Sequence, residues 1–172
     1  RDESFDYVLS FDTLEHVQGQ SKALFEMARV LKPKGMLLVY TINKSQRYTW
    51  NFWLDKLGID IYERVGHNPN LFLYPSWVRK ELEEIGIEVE RLELFNSFFT
   101  LAADEAIMVL LFGLSRLNFF NPSSRFKVAV GRVFLNLADF LSRLSLSPLE
   151  ALEIPWKRCG YSNSFFILGR KI

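Results

Sequence analysis

Cysteine is almost missing from the sequence, which contains Cys159 as its single thiol among 172 residues. One cysteine excludes an internal disulfide and any metal site that needs several thiolates. Such low usage is typical of a reducing compartment, and we therefore expect a cytoplasmic protein. An excess of charge is missing as well, because 21 Lys and Arg residues are matched by 20 Asp and Glu residues. This balance gives no electrostatic reason to expect a nucleic-acid partner.

Long hydrophobic runs are also lacking. Residues 97–120 form an apolar region, and its longest charge-free stretch is residues 106–115. Asp104, Glu105 and Arg116 flank this stretch. As a helix it would extend about 15 Å, against a bilayer core of about 30 Å, so we do not expect a membrane-spanning helix. What the sequence does contain is apolar and aromatic side chains, at 49% and 15% of its residues. This composition indicates a folded domain with a sizeable core.

The first forty residues predict a strand, a helix and a second strand. Residues 5–9 are apolar throughout except at Asp6, and residues 36–42 form a second apolar run. Apolar residues recur at helical spacing between residues 20 and 31, and the Lys-Pro-Lys-Gly turn that follows ends the helix. Short turns between these elements predict a right-handed parallel crossover. Asp12, with Glu15 three residues later, has the spacing of a helix capping box.

The rest of the chain predicts further helices and strands, with less regular patterns. We expect a short helix over residues 48–57, a loop over 66–74, a helix capped by Ser76 over 76–84, a strand with a bulge near Arg91 over 87–95, apolar helices over 98–117 and 124–144, a loop from Pro148 to Pro155 and a last strand over 164–168. The 124–144 helix is apolar around most of its circumference, so several of its sides need cover.

Two strand ends locate a candidate site. Ser10, Phe11 and Asp12 follow the first predicted strand, and Asn43 follows the second. Ligands of open parallel sheets bind outside the carboxyl ends of the strands, and strands joined by one short crossover are usually neighbours. We therefore expect both ends to line one crevice. The placement by itself names no reaction.

Two segments resemble a known enzyme family. Residues 5–17 read FDYVLSFDTLEHV, and residues 28–39 read ARVLKPKGMLLV. Together they resemble the fourth-strand to fifth-strand region of class I S-adenosylmethionine-dependent methyltransferases, in particular the group with the ubiquinone-pathway O-methyltransferases. Lys34 replaces a glycine of the family's turn. Residues 66–67, 74–89 and 165–171 resemble later parts of the family's fold, whereas residues 97–156 have no counterpart.

The resemblance implies an α/β, Rossmann-like methyltransferase fold, represented by its C-terminal half (strands four to seven) with an added helical cap. We expect residues 1–96 and 157–172 to form the core and residues 97–156 to form the cap. The family's Gly-rich cofactor loop and its ribose-binding acidic residue have no counterpart in the sequence. We therefore expect a fragment that begins at the fourth strand and is inactive alone.

The resemblance also implies site residues. S-adenosylmethionine is the expected cofactor, with Ser10, Phe11 and Asp12 beside it. His16 is the candidate general base, although orienting the helix after strand four is an alternative role. Substrate contact is expected at three positions, which are Asn43, Trp50 and His67. The sequence shows no convincing metal-ligand spacing, and we expect no metal.

The expected acceptor is a small or lipid-like molecule that is methylated at oxygen. Two other functions remain open at the level of sequence. One is a non-catalytic, methyltransferase-like subunit that lends its apolar cap to a partner. The other is a peripheral module that contacts a membrane or a partner through residues 124–144, since apolar faces of this kind also bind membrane surfaces.

Overall fold

A computed structural model describes residues 1–59, 62, 66–103, 106 and 148–172. The predicted helix over 124–144 and most of the one over 98–117 lie outside these residues. Within the described part, no helix is both long and apolar enough to cross a membrane.

Four strands form one mixed sheet. They are β1 (Phe5–Phe11), β2 (Leu31–Ile42), β3 (Ile87–Phe95) and β4 (Ser164–Lys171), in the spatial order β1-β2-β4-β3. β1 and β2 are parallel neighbours, which confirms the predicted parallel pairing, and β4 is antiparallel to both of its neighbours. The strand register shifts between Val89 and Arg91, where the bulge is predicted.

Helices accompany this sheet. They are α1 (Gln20–Val30), α2 (Trp50–Lys56), α3 (Pro75–Glu84) and α4 (Ile154–Arg158), with 3-10 turns at Leu14–His16 and Pro69–Leu71. Two of them, α1 and α3, pack on one of its faces. Apolar side chains of α1 and α3 meet alternate residues of the strands, because successive strand side chains point to opposite faces. The buried core comprises Leu14, Leu24, Ala28, Leu31, Leu37, Val39, Leu73, Val78, Leu82, Ile87, Phe165 and Ile167. The α/β architecture is as the sequence predicts.

The opposite face of β1 is apolar and exposed. Tyr7 and Leu9 are 68% and 62% exposed, and Phe5 and Phe11 continue the same row. A hydrophobic row with period two is typical of a strand that is covered on that face as well. Within the described residues, only one face of β1 carries a helical layer.

Glycine is required where β3 and β4 come close together. A Cβ atom added at Gly169 would lie 2.5 Å from Ile87 Cγ2 and 3.1 Å from the Glu88 carbonyl oxygen. Both atoms belong to the neighbouring strand, and real Cβ contacts are rarely this short. The pairing of Gly169 with Val89 beside the bulge therefore depends on the absence of a side chain.

Three local predictions are wrong. Asp12 does not cap a helix, because the turn that follows is a 3-10 turn whose N-cap, Thr13, makes no side-chain cap hydrogen bond. Ser76 lies inside α3, whose N-cap is Tyr74 and which begins at Pro75. Proline at the first helical position has no N–H to lose and a backbone angle already suited to the helix. Residues 148–152 are helical and α4 follows, where the sequence predicts a loop.

Candidate functional site

The strand directions bring several chain segments to one edge of the sheet. The carboxyl ends of β1, β2 and β3 lie there together with the beginning of β4, since β4 runs opposite to β2 and β3. We call this the carboxyl edge. Phe11 pairs with Tyr40, and the Asp12 N–H donates to the Tyr40 carbonyl oxygen at 3.2 Å. The ends of the first two strands are therefore neighbours, as the sequence predicts.

The three expected cofactor residues point in different directions. Ser10 is buried, and its hydroxyl has no hydrogen-bond partner among the described residues. Phe11 lies on the exposed face of β1, with its ring 6.2 Å from that of Tyr40. Asp12 is exposed and has a φ of +46°, a left-handed conformation that Asp tolerates better than most residues. The chain thus turns sharply and presents its backbone at the carboxyl edge.

His16 lies directly beside His67. Their rings are stacked, with centroids 4.7 Å apart and an interplanar angle of 23°. The loop that carries His67 is held against the end of β2, where the Leu73 N–H donates to the Ile42 carbonyl oxygen at 3.3 Å. The structure therefore brings together two histidines that the sequence places far apart.

Glu15 lies beside this pair, in the interior of the protein. Its side chain is fully buried, and its Oε2 accepts a hydrogen bond from Thr41 Oγ1 at 2.6 Å. Its Oε1 and the His67 Nδ1 are buried and have no partner in the described part of the chain. Ligand atoms of Glu15, His16 and His67 all lie within 4.8 Å of one another. One carboxylate with two imidazoles is a donor set that Zn²⁺ and related transition metals accept.

Asn43 and Trp50 belong to a second group at the same edge. Asn43 is fully buried, and its Nδ2 donates to the Gly160 carbonyl oxygen at 3.1 Å and to Ser162 Oγ at 2.9 Å. The Trp50 ring lies 5.6 Å from the ring of Phe98. Asn43 thereby connects the end of β2 to the segment before β4, and its amide is used inside the protein. The structure does not bring Asn43 or Trp50 into the histidine pair.

A cavity of about 550 Å³ opens beside this second group. Its walls are almost wholly aromatic, and Pro155 and Cys159 complete them. We call it the aromatic pocket; its six rings are Tyr48, Trp53, Phe98, Phe99, Trp156 and Tyr161. Two of the six rings, Trp156 and Tyr161, lie about a hundred residues after Tyr48 and Trp53 and reach the pocket only through the fold.

Glu153 joins the two ends of the predicted cap. It is fully buried, and its carboxylate accepts from the Ser97 N–H at 3.2 Å and from the N–H and hydroxyl of Thr100 at 2.9 and 2.8 Å. A carboxylate in this position satisfies N–H groups that the first turn of a helix leaves free, here the one through residues 99–103. No sequence pattern indicates the contact, because its partners lie more than fifty residues apart.

Comparisons with known proteins agree with this architecture. A family model described as a methyltransferase domain matches residues 1–39. A ubiquinone biosynthesis O-methyltransferase of Rickettsia bellii is 26% identical over 108 residues, which are 62% of this chain and 44% of that protein. The corresponding protein of Rickettsia typhi is 26% identical over 105 residues, 60% of this chain and 42% of that protein.

Solved structures show the same fold. A putative sarcosine dimethylglycine methyltransferase from Galdieria sulphuraria covers 99% of this chain with a TM-score of 0.52 and 18% identity. Phosphoethanolamine N-methyltransferase 2 from Haemonchus contortus, in complex with S-adenosyl-L-methionine, covers 99% with a TM-score of 0.54 and 16% identity. The chain shares its fold with S-adenosylmethionine-dependent methyltransferases, and its first 39 residues match a methyltransferase domain.

This chain covers only part of its relatives. It spans 44% of the length of the Rickettsia bellii protein, and 54% and 34% of the two solved structures. The fold assignment therefore concerns the sheet β1-β2-β4-β3 and its helices. The activity of the whole protein is a separate question.

Proposed function

We propose that this chain contributes the carboxyl edge of an enzyme that transfers a methyl group from S-adenosylmethionine to an oxygen of a small or lipid-like acceptor. The observation that carries the proposal is the adjacency of the β1 and β2 ends, with Ser10, Phe11 and Asp12 turning directly into the segment with Glu15 and His16. The resemblance to O-methyltransferases of ubiquinone biosynthesis supports oxygen as the methylated atom.

The residues present fit one part of the cofactor. The exposed backbone turn at Phe11 and Asp12 and the unpartnered Ser10 hydroxyl offer polar groups at the carboxyl edge. The Gly-rich loop and the acidic ribose ligand are not in the sequence. We expect the chain alone to bind the cofactor weakly, and an active protein to include residues that supply those groups and cover the exposed face of β1. When bound, the cofactor supplies an electrophilic methyl group on a sulfonium.

His16 is the proposed general base. Its ring is exposed at the carboxyl edge, while stacking on His67 and the burial of Glu15 fix its position. The acceptor hydroxyl would give its proton to the imidazole as the oxygen bonds to the methyl carbon, and the electrons of the broken carbon–sulfur bond would stay on sulfur. A positioned base of this kind contributes about 10²- to 10⁴-fold.

A second role for the same histidine rests on the unpartnered Glu15 Oε1 and His67 Nδ1. With His16, these atoms could hold a divalent cation that orients the acceptor oxygen. A metal-bound imidazole cannot act as the base, so the two roles exclude each other. Turnover that survives a chelator supports the base, and turnover lost to a chelator and restored by a divalent metal supports the cation site.

Methyl transfer is tested on the natural gene product that carries this segment, with any further residues that the gene encodes. Tritium from S-adenosyl-[methyl-³H]methionine is expected to appear in small or lipid-like acceptors that carry a hydroxyl group. The matched control is Arg79→Gln, an exposed α3 residue paired with Glu83, which should leave the rate unchanged. A protein that neither binds the cofactor nor labels an acceptor would refute the proposal in favour of a non-catalytic subunit.

A further inference from the structure

We propose that the aromatic pocket binds the apolar tail of a methyl acceptor whose head group is anionic. The acceptor role rests on the proposed function, whereas the binding itself does not. Four chain segments build the pocket at the carboxyl edge: the turn before α2, α2 itself, the residues after β3, and the stretch from α4 to β4. At about 550 Å³ it has the size of a small-molecule site.

The polar atoms of its walls are turned away from the cavity or used elsewhere. Trp156 Nε1 donates to the Tyr48 carbonyl oxygen at 2.9 Å, and the Tyr161 carbonyl oxygen accepts from Ser97 Oγ at 3.0 Å. A ligand that fills the space therefore meets ring faces and ring edges. Burial of apolar area is the main source of affinity that such a lining offers.

Contacts between the rings hold the walls in place. The Trp156 ring is stacked with Phe98 at 6.4 Å and meets Phe99 edge-on at 5.8 Å. Tyr48 meets Tyr161 edge-on, also at 5.8 Å. Aromatic pairs at these distances are mutually stabilising, so the pocket is formed before a ligand arrives. A preformed site loses little conformational entropy on binding.

The charges around the pocket select the head group. Arg47 lies 5.8 Å from the ring centre of Tyr48, and Lys56 lies 5.7 Å from that of Phe52, which contacts Trp53. Lys157 follows Trp156 in α4, but its ammonium lies 6.0 Å from the ring centre of Phe95, which is not part of the pocket wall. Within the described residues, none of these three cations forms an ion pair.

Nearby carboxylates do not reverse this charge. Asp55 is exposed on α2, one residue from Lys56, and the Glu153 carboxylate is buried and bonded to Ser97 and Thr100. Aromatic pockets often bind quaternary ammonium groups, but the two cations beside this pocket, Arg47 and Lys56, oppose a cationic ligand. A phosphate or carboxylate head at the rim is attracted by the same charges.

Cys159 gives a readout that needs neither cofactor nor turnover. It is the single cysteine, it is exposed, and it lies in the pocket wall. The rate of its alkylation by iodoacetamide is measured with alkyl phosphates of six, eight and ten carbons, each below its micelle concentration. Protection is expected to strengthen about fourfold with each buried methylene until the pocket is full. Alkyltrimethylammonium ions of the same lengths are expected to protect more weakly.

Two matched pairs of variants locate the site. Trp53→Ala should weaken protection by decyl phosphate about tenfold or more, whereas Phe25→Ala, an exposed aromatic on α1, should not change it. Arg47→Gln should weaken protection of Cys159 by the alkyl phosphates about two- to fivefold. Protection by octyl glucoside, an uncharged probe with an apolar tail, should stay unchanged, and Arg79→Gln should change neither.

Two outcomes would overturn the proposal. Equal or better protection by the ammonium ions would make the pocket a cation cage, and no protection by any probe would mean that it binds no tail. Protection in a protein that transfers no methyl group would keep the binding site and refute the proposed function. The two failures are therefore distinguishable.

Discussion

Thr41→Val tests the buried hydrogen bond of Glu15, the residue that precedes His16. The Thr41 hydroxyl is the one described partner of the Glu15 carboxyl, at 2.6 Å, and both side chains are fully buried. Valine keeps the shape of threonine but leaves both carboxyl oxygens without a partner. A hydrogen bond to a charged group contributes about 1.5–3 kcal/mol, and its loss in a buried site carries the full desolvation cost. We therefore expect a loss of about 2–3 kcal/mol in the free energy of unfolding, the upper part of that range.

The assay is urea unfolding followed by tryptophan fluorescence. With a slope of about 1–3 kcal/mol per molar urea, the midpoint should fall by about 1 M. The double variant Thr41→Val with Glu15→Met should recover most of the loss, because removing both polar partners can be nearly neutral. A loss under about 0.5 kcal/mol in Thr41→Val, within the range of an ordinary surface substitution, would refute the reasoning. So would a double variant no more stable than the single one.

The remaining predictions concern the base of the cap, the sheet and the site. Glu153→Gln should cost about 1–3 kcal/mol in urea unfolding, since the amide offers one acceptor oxygen to the donors of Ser97 and Thr100; an unchanged midpoint would contradict this. Gly169→Ala should destabilise by about 1–3 kcal/mol through its clash with Ile87, whereas Gly19→Ala, 3.9 Å from its nearest neighbour, should cost less. His16→Ala should lower kcat about 10²- to 10⁴-fold while S-adenosylhomocysteine still binds; normal turnover would exclude both proposed roles.

The sheet could be predicted from sequence where neighbours in space are near neighbours along the chain. Continuous apolar runs joined by one short helix specify the β1–β2 crossover, and the bulge near Arg91 disturbs the alternation of β3. Helix starts were less predictable. Pro75 sets the start of α3 ahead of Ser76. The sharp turn at Asp12 leads into a 3-10 turn without a side-chain cap hydrogen bond, so the predicted capping box does not form.

The sites depend on contacts that local patterns do not encode. His16 meets His67, and Asn43 meets Ser162, only because the carboxyl edge collects segments from distant parts of the chain. The aromatic pocket likewise needs Trp156 to cross to Tyr48. The sequence predicts that Asn43 contacts the substrate, yet its side-chain amide is hydrogen-bonded within the protein. Its proposed substrate role would require those hydrogen bonds to be exchanged, and it stays a prediction.

Hydrogen exchange with bound S-adenosylhomocysteine tests the central claim most directly. Measured on the natural gene product that carries this segment, exchange of the backbone amides from Ser10 to Asp12 is expected to slow when the ligand is added. The amides of α3, on the helical face, should exchange at an unchanged rate. Binding without protection at Ser10 to Asp12, or no binding at all, would contradict the assignment of the carboxyl edge as the cofactor site.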